Sequence, residues 1–262
     1  PIEYWVRNFD DIASCGNVFG SCWDPAAVPE KSGLSYLYNR QIKPYVDAGF
    51  GITAMIYDQA EADVGCHLDL FPTPALGGDP AYACMEKALI TGWREAFGKT
   101  SLAGTSIPWV GVQLPAYEGG KPLARNDVFE MRLGQMAGIE GLNAAEVVPT
   151  YDLSCPTCPF GSIHPTDKQD VGKRIALHLQ RLVQNDGGIV AKGPQATQAT
   201  AKADPPGASS ATNTSTISVQ MQGDQLPLRM AATRNCTTCC DAHGSDFDVS
   251  IDGGKSWMMA NS

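Results

Sequence analysis

The chain has 262 residues, a formal net charge of −9, 43% hydrophobic and 18% charged residues. That acidic balance argues against nucleic acid or anionic membrane as a partner, since either needs a basic face. No apolar run approaches the ~20 residues of a membrane helix, and the length allows one normal core plus part of a second.

In chain order, Leu34–Ala48 reads as a helix and Gly51–Tyr57 as a short buried strand. Ala81–Phe97 is a helix with Met85, Leu89 and Trp93 on one stripe. Pro108–Leu114 is a second apolar strand, Asn126–Ala137 a helix and Ala144–Leu153 a third strand. A strongly patterned helix follows, with Val171, Ile175, Leu179 and Leu182 at helical spacing and Thr166 with Gln169 in the form of a capping box. This alternation predicts an α/β fold, a parallel sheet covered by helices. From 185 to 215 the chain turns to Gly, Pro, Ala, Ser and Thr and reads as a linker or long loop. Ile217–Met221 then alternates with period two, and Asp252-Gly253-Gly254 marks a hairpin turn. The organisation is thus 1–184, a linker over 185–215, and a β-rich segment over 216–262. That last segment is short for a core of its own and is expected to continue.

Nine cysteines are many for a cytosolic protein of this size and point to an oxidising compartment. The sequons Asn213-Thr214-Ser215 and Asn235-Cys236-Thr237 point the same way, to a secreted, lysosomal or other secretory-pathway glycoprotein. Cys155-Pro156-Thr157-Cys158 and Cys236-Thr237-Thr238-Cys239 share a spacing, but 77 residues between them is far too long for a zinc finger. Pro159 disfavours the helix that a redox pair would begin, so structural disulfides are the expectation. His67, beside Cys66, is thin evidence for a metal. His178 reads as a surface or packing residue, and His243 is assigned nothing.

The chemistry is legible at Pro159-Phe160-Gly161-Ser162-Ile163-His164-Pro165-Thr166-Asp167-Lys168-Gln169. A lone histidine in a turn more often satisfies its loop than acts. This one lies between a strand and a helix, at the edge where α/β sheets keep their sites. The run resembles the histidine block of the sialate O-acetylesterases, a branch of the SGNH-type esterases. Other stretches agree in order. Pro1-Ile2-Glu3-Tyr4-Trp5 is similar to the family's "TPIEAW", and Leu37 to Pro44 to its "LWNAMIHPL". Tyr57 to Asp63 falls where the family has "WYQGESN". Trp93 to Phe97, Val112 to Leu114, and Arg132 with Gln135 resemble "DWRETF", "VQL" and "R-x-x-Q".

The resemblance implies a three-layer α/β/α SGNH-hydrolase-like domain followed by the start of a β-rich C-terminal region. It implies hydrolysis of acetyl esters on sugars by a serine and a histidine, with neither metal nor organic cofactor. His164 would be the base and Gln59, Glu61 and Asp63 the substrate and oxyanion side. Departures matter. The family's Gly-Gln-Ser-Asn nucleophile turn has no counterpart here, so a serine would come from an upstream segment or a second chain. Pro1 at the start points to a processed or incomplete sequence. Gly161 and Ser162 stand where SGNH enzymes carry the orienting carboxylate, leaving Asp152, Asp167 or a dyad, with Asp152 preferred. Asp63 replaces an oxyanion-donating asparagine, and a carboxylate cannot donate when ionised. The expected partner is an acetylated sugar or glycan. The rival reading is a non-catalytic secreted glycoprotein that keeps the fold for glycan binding or assembly.

Overall fold

The structure is a computed structural model that describes residues 2–12, 15, 35–64, 80–115, 125–153, 155, 158, 159, 164, 166–203, 215–223, 248, 249, 258 and 259. Two compact units divide it: residues 1–189 with 236–262, and residues 190–235.

In the first unit, β1 (Met55–Tyr57), β2 (Trp109–Val112) and β3 (Ala145–Val148) form a parallel sheet in that order. Met55 pairs with Trp109 and Trp109 with Ala145, so in-register residues share a face. Tyr57 and Trp109 meet Trp93 of α3 (Pro80–Gly98) at ring separations of 6.2 and 6.1 Å. The alternate positions, Val110, Val112, Glu146 and Val148, face α5 (Lys168–Gln184), whose His178 lies 2.6 Å from Glu146. α4 (Arg125–Gly138) lies beside α3, where a Cβ at Gly138 would come within 2.5 Å of Glu86 Oε2. Helices therefore cover both faces, and the three-layer α/β/α expectation holds.

The stripe Met85, Leu89 and Trp93 is buried as its spacing requires. Arg94, on the same helix, is 7% exposed. Its Nε donates to Ile107 O at 2.9 Å, and its Nη2 donates to Asn143 O and Ala144 O at 2.9 and 3.0 Å. One guanidinium thus satisfies carbonyls at the amino ends of both β2 and β3, and burial lowers its pKa. Ala144 has φ of 51°, a strained value for alanine, and its carbonyl also accepts from Trp109 N.

Several sequence expectations shift. The strand expected over Ala144–Leu153 stops at Val148, because Pro149 has no N–H for the ladder. Tyr151–Leu153 is a separate 3-10 turn. Beyond the short α1 (Phe9–Ile12), the helix expected over Leu34–Ala48 widens over Tyr38–Ile42, where Lys43 N–H reaches Tyr38 O, before α2 (Lys43–Asp47). Pro44, which cannot donate, accounts for that change of spacing. The N-cap of α5 is Asp167, accepting from Asp170 N at 3.1 Å, one residue beyond the expected Thr166 and Gln169 box.

In the second unit, β4 (Gln195–Ala203) pairs antiparallel with β5 (Ser215–Gln222). Part of the stretch read as linker is thus a strand, formed by pairing with β5 although only its two threonines favour a strand and its four alanines do not. In the first unit the short strands β6 (Asp248–Val249) and β7 (Met258–Met259) pair antiparallel on either side of the expected hairpin turn. The turn itself, Asn213, Asn235, His67 and His243 lie outside the described residues. Among those described, no helix is long and apolar enough to cross a membrane.

Candidate active site

The carboxyl ends of β1, β2 and β3 carry every candidate residue, as an open parallel sheet favours. After β1, Gln59 is a hub. Its Oε1 accepts from Tyr57 Oη at 2.9 Å, and its Nε2 donates to Asp63 Oδ2 at 2.6 Å. Its carbonyl accepts from Tyr82 Oη at 3.0 Å and from Gln135 Nε2 at 3.4 Å. Burial raises both tyrosine pKa values well above normal, with nearby carboxylates adding to the effect. Asp63 is 0% exposed, and its two oxygens also accept the Ile2 amide at 3.1 Å each. Glu61 turns back on its own turn, Oε2 accepting from Ala60 N at 3.0 Å.

After β2, the chain is stitched to α4. Gln135 is 2% exposed, with Oε1 accepting from Leu114 N and Nε2 donating to Val112 O, both at 3.0 Å. Arg132 Nε donates to Leu114 O at 2.7 Å, and its guanidinium carbon lies 6.0 Å from the Tyr151 ring centroid. Burial lowers the Arg132 pKa.

After β3, Thr150 Oγ1 donates to Gln113 O at 2.5 Å. Asp152 follows, gripped by Arg174 of α5: Nη1 donates to Oδ1 at 2.7 Å and Nη2 to Oδ2 at 2.6 Å. Arg174 Nη1 also donates to Pro149 O at 2.7 Å. That fork holds the Asp152 carboxyl below its usual range. Cys155 and Cys158 form a disulfide, and Cys158 Sγ lies 3.9 Å from Thr166 Oγ1. His164 is exposed, in the turn just before α5. Burial raises the Asp58 carboxyl and the charge of Glu61 raises it further, while the charge of Lys168, at the start of α5, lowers it.

The structure therefore brings Gln59 and Asp63 into direct contact and turns Asp152 toward α5. Reasoning from sequence missed Arg174, whose partner is 22 residues away, and the Tyr57 and Tyr82 hydroxyls. His178 proves to be packing: it is 1% exposed and bound to Glu146, which also pairs with Arg181. Its signal was present, since positions 171, 175, 178 and 182 share one helical stripe.

No family model matches the chain. Sialate O-acetylesterases from Homo sapiens and Pongo abelii are each 28% identical over 202 residues, covering 74% of this chain and 36% of theirs. The Rattus norvegicus sialate O-acetylesterase is 29% identical over 184 residues, 65% of this chain and 30% of its own. A crystal structure of a carbohydrate acetylesterase from Xanthomonas citri aligns with a TM-score of 0.48 at 24% identity, over 66% of this chain and 34% of that one. The chain spans about a third of the length of the curated relatives it matches, and those matches give no support to a second chain as the source of a nucleophile. Over most of its own length, this chain is similar to the sialate O-acetylesterases.

Proposed function

We propose that the chain is the histidine-bearing part of a sialate-type carbohydrate O-acetylesterase, acting on acetylated sugars in the secretory pathway. The observation that carries the reading is His164, exposed at the carboxyl edge of the sheet in a block that resembles the family's histidine block. Two disulfides among the described residues, Cys15–Cys84 and Cys155–Cys158, support an oxidising compartment.

His164 takes the proton of a serine hydroxyl as that oxygen attacks the acetyl carbonyl. The tetrahedral intermediate collapses, and the imidazolium returns the proton to the departing sugar oxygen. Water then repeats the cycle on the acetyl-serine. Neither metal nor organic cofactor is needed for these steps. Asp152, the carboxylate preferred from sequence, has both oxygens bound by Arg174. Gln59, Glu61 and Asp63 brace the loop after β1, and the oxyanion is met by other donors.

The test uses the longer natural coding sequence, because the family's Gly-Gln-Ser-Asn turn is not among these 262 residues. His164→Ala should abolish turnover of an aryl acetate while leaving the fold intact. Normal turnover in that variant removes His164 from the mechanism. A complete protein with no esterase activity, yet with measurable glycan binding, favours the non-catalytic reading.

A further inference from the structure

We infer that the Cys155–Cys158 bridge positions His164, fixing the base of the turn that presents the imidazole. The inference rests on the reading of His164 as the base. The two disulfides among the described residues differ in what they can constrain. Cys15–Cys84 joins residues 69 apart and ties the N-terminal segment to α3. Cys155–Cys158 joins residues three apart. Loop-closure entropy grows with the logarithm of ring size, so the small ring removes little freedom from the unfolded chain. Its effect is therefore local.

Locally it sits where it matters. On one side, the 3-10 turn Tyr151–Leu153 is anchored through Asp152 to Arg174 and ends two residues before Cys155. On the other side, Cys158 is 7% exposed, and its sulfur lies 3.9 Å from the Thr166 hydroxyl. Thr166 is two residues after His164 and immediately before Asp167, the cap of α5. The sulfur thus joins the incoming end of the His164 turn to its outgoing end. Cys158 N also donates to Cys155 O at 3.1 Å, so the bridge closes over a backbone turn. The bridge is the covalent tie on the incoming side of this turn, beside the fork of Arg174 on Asp152. An imidazole displaced by about 1 Å loses roughly 100-fold in rate.

A dithiol would open the bridge by two-electron exchange. The Cys155–Cys158 S–S bond breaks, both sulfurs gain protons, and the dithiol is oxidised to its cyclic disulfide. Oxidation restores the bond.

The experiment takes the complete protein and its Cys155→Ser/Cys158→Ser variant, with His164→Ala and Cys15→Ser/Cys84→Ser in parallel. Aryl acetate kinetics, thermal melts and the imidazole NMR signals are recorded for each. The expected result is a 10- to 100-fold loss in kcat with KM little changed. The His164 resonance should move or broaden, and the melting point should fall less than in Cys15→Ser/Cys84→Ser. Unchanged kcat and an unmoved His164 resonance overturn the inference. If His164→Ala itself turns over normally, the reading of His164 as the base fails, while a His164 signal in the unmutated protein that still moves on opening the bridge upholds the clamp. Should the serine variant not fold, dithiol reduction of the folded protein followed by reoxidation gives the same readouts, with reversible loss expected. No change on reduction overturns the inference.

Discussion

Two segments meet at the carboxyl edge of the sheet, and they are built in opposite ways. The loop after β1 is internal: Asp63 is 0% exposed and shares hydrogen bonds with Gln59 and the Ile2 amide. The segment after β3 is external: Asp152 is half-exposed, His164 is exposed, and an arginine fork and a short disulfide lie within it. A network sealed from water can set backbone geometry but cannot meet a substrate. A histidine in an open turn can meet a substrate but relies on neighbours for its aim.

The sharpest way to break this contrast is Asp63→Asn. If Asp63 is scaffold, the new amide sets an N–H against the Ile2 or Gln59 donors, and denaturant melts should show a loss of about 1–3 kcal/mol. A faster esterase with undiminished stability would instead put Asp63 at the oxyanion.

Next in size is a pH effect beneath the internal loop. Glu86, one turn after Tyr82 on α3, is 1% exposed, and its Oε2 has no hydrogen-bond partner. Burial alone raises its pKa well above the usual carboxylate range. A carboxyl whose folded pKa is raised contributes stability that is full below its unfolded pKa and is lost as pH rises toward the folded one. In that window, stability should fall by about 1.4 kcal/mol per pH unit. Glu86→Gln should flatten the slope, and an unchanged slope would show that Glu86 is not the group responsible.

The smallest effect belongs to the external segment. Asp152 titrates below its usual value, so its contribution is present above the ordinary carboxylate range and lost as pH falls through the lowered value. The pair is 31% and 50% exposed on its two side chains, and water screens it. Arg174→Gln should cost under about 1 kcal/mol by thermal melt. A loss of several kcal/mol would mean that this edge is as much scaffold as the other.

The layering was legible because it rests on periodicity. Buried strands flanked by glycine and proline, and the Met85, Leu89 and Trp93 stripe, announce themselves at short range. The reading of His164 rests on the pattern of its neighbours in sequence. What stayed hidden depends on side chains meeting across the fold. Arg174 reaches Asp152 across 22 residues, and Asp63 turns inward to an amide 61 residues away. Composition and spacing carry no information about such pairings. The strand end at Val148 could have been placed from Pro149 alone.

Arg94 has a consequence for how this protein can change over time. A one-residue slip of β3 against β2 would exchange the inward and outward faces of the strand. The three carbonyls held by Arg94 belong to the segments entering both strands, so a slip would first have to tear donors from a helix across the layer. That lock lies at the end of the sheet remote from His164. Insertions, deletions and lost catalytic groups at the far rim therefore leave strand alignment untouched. Such a frame can outlive its own chemistry, or carry a different one.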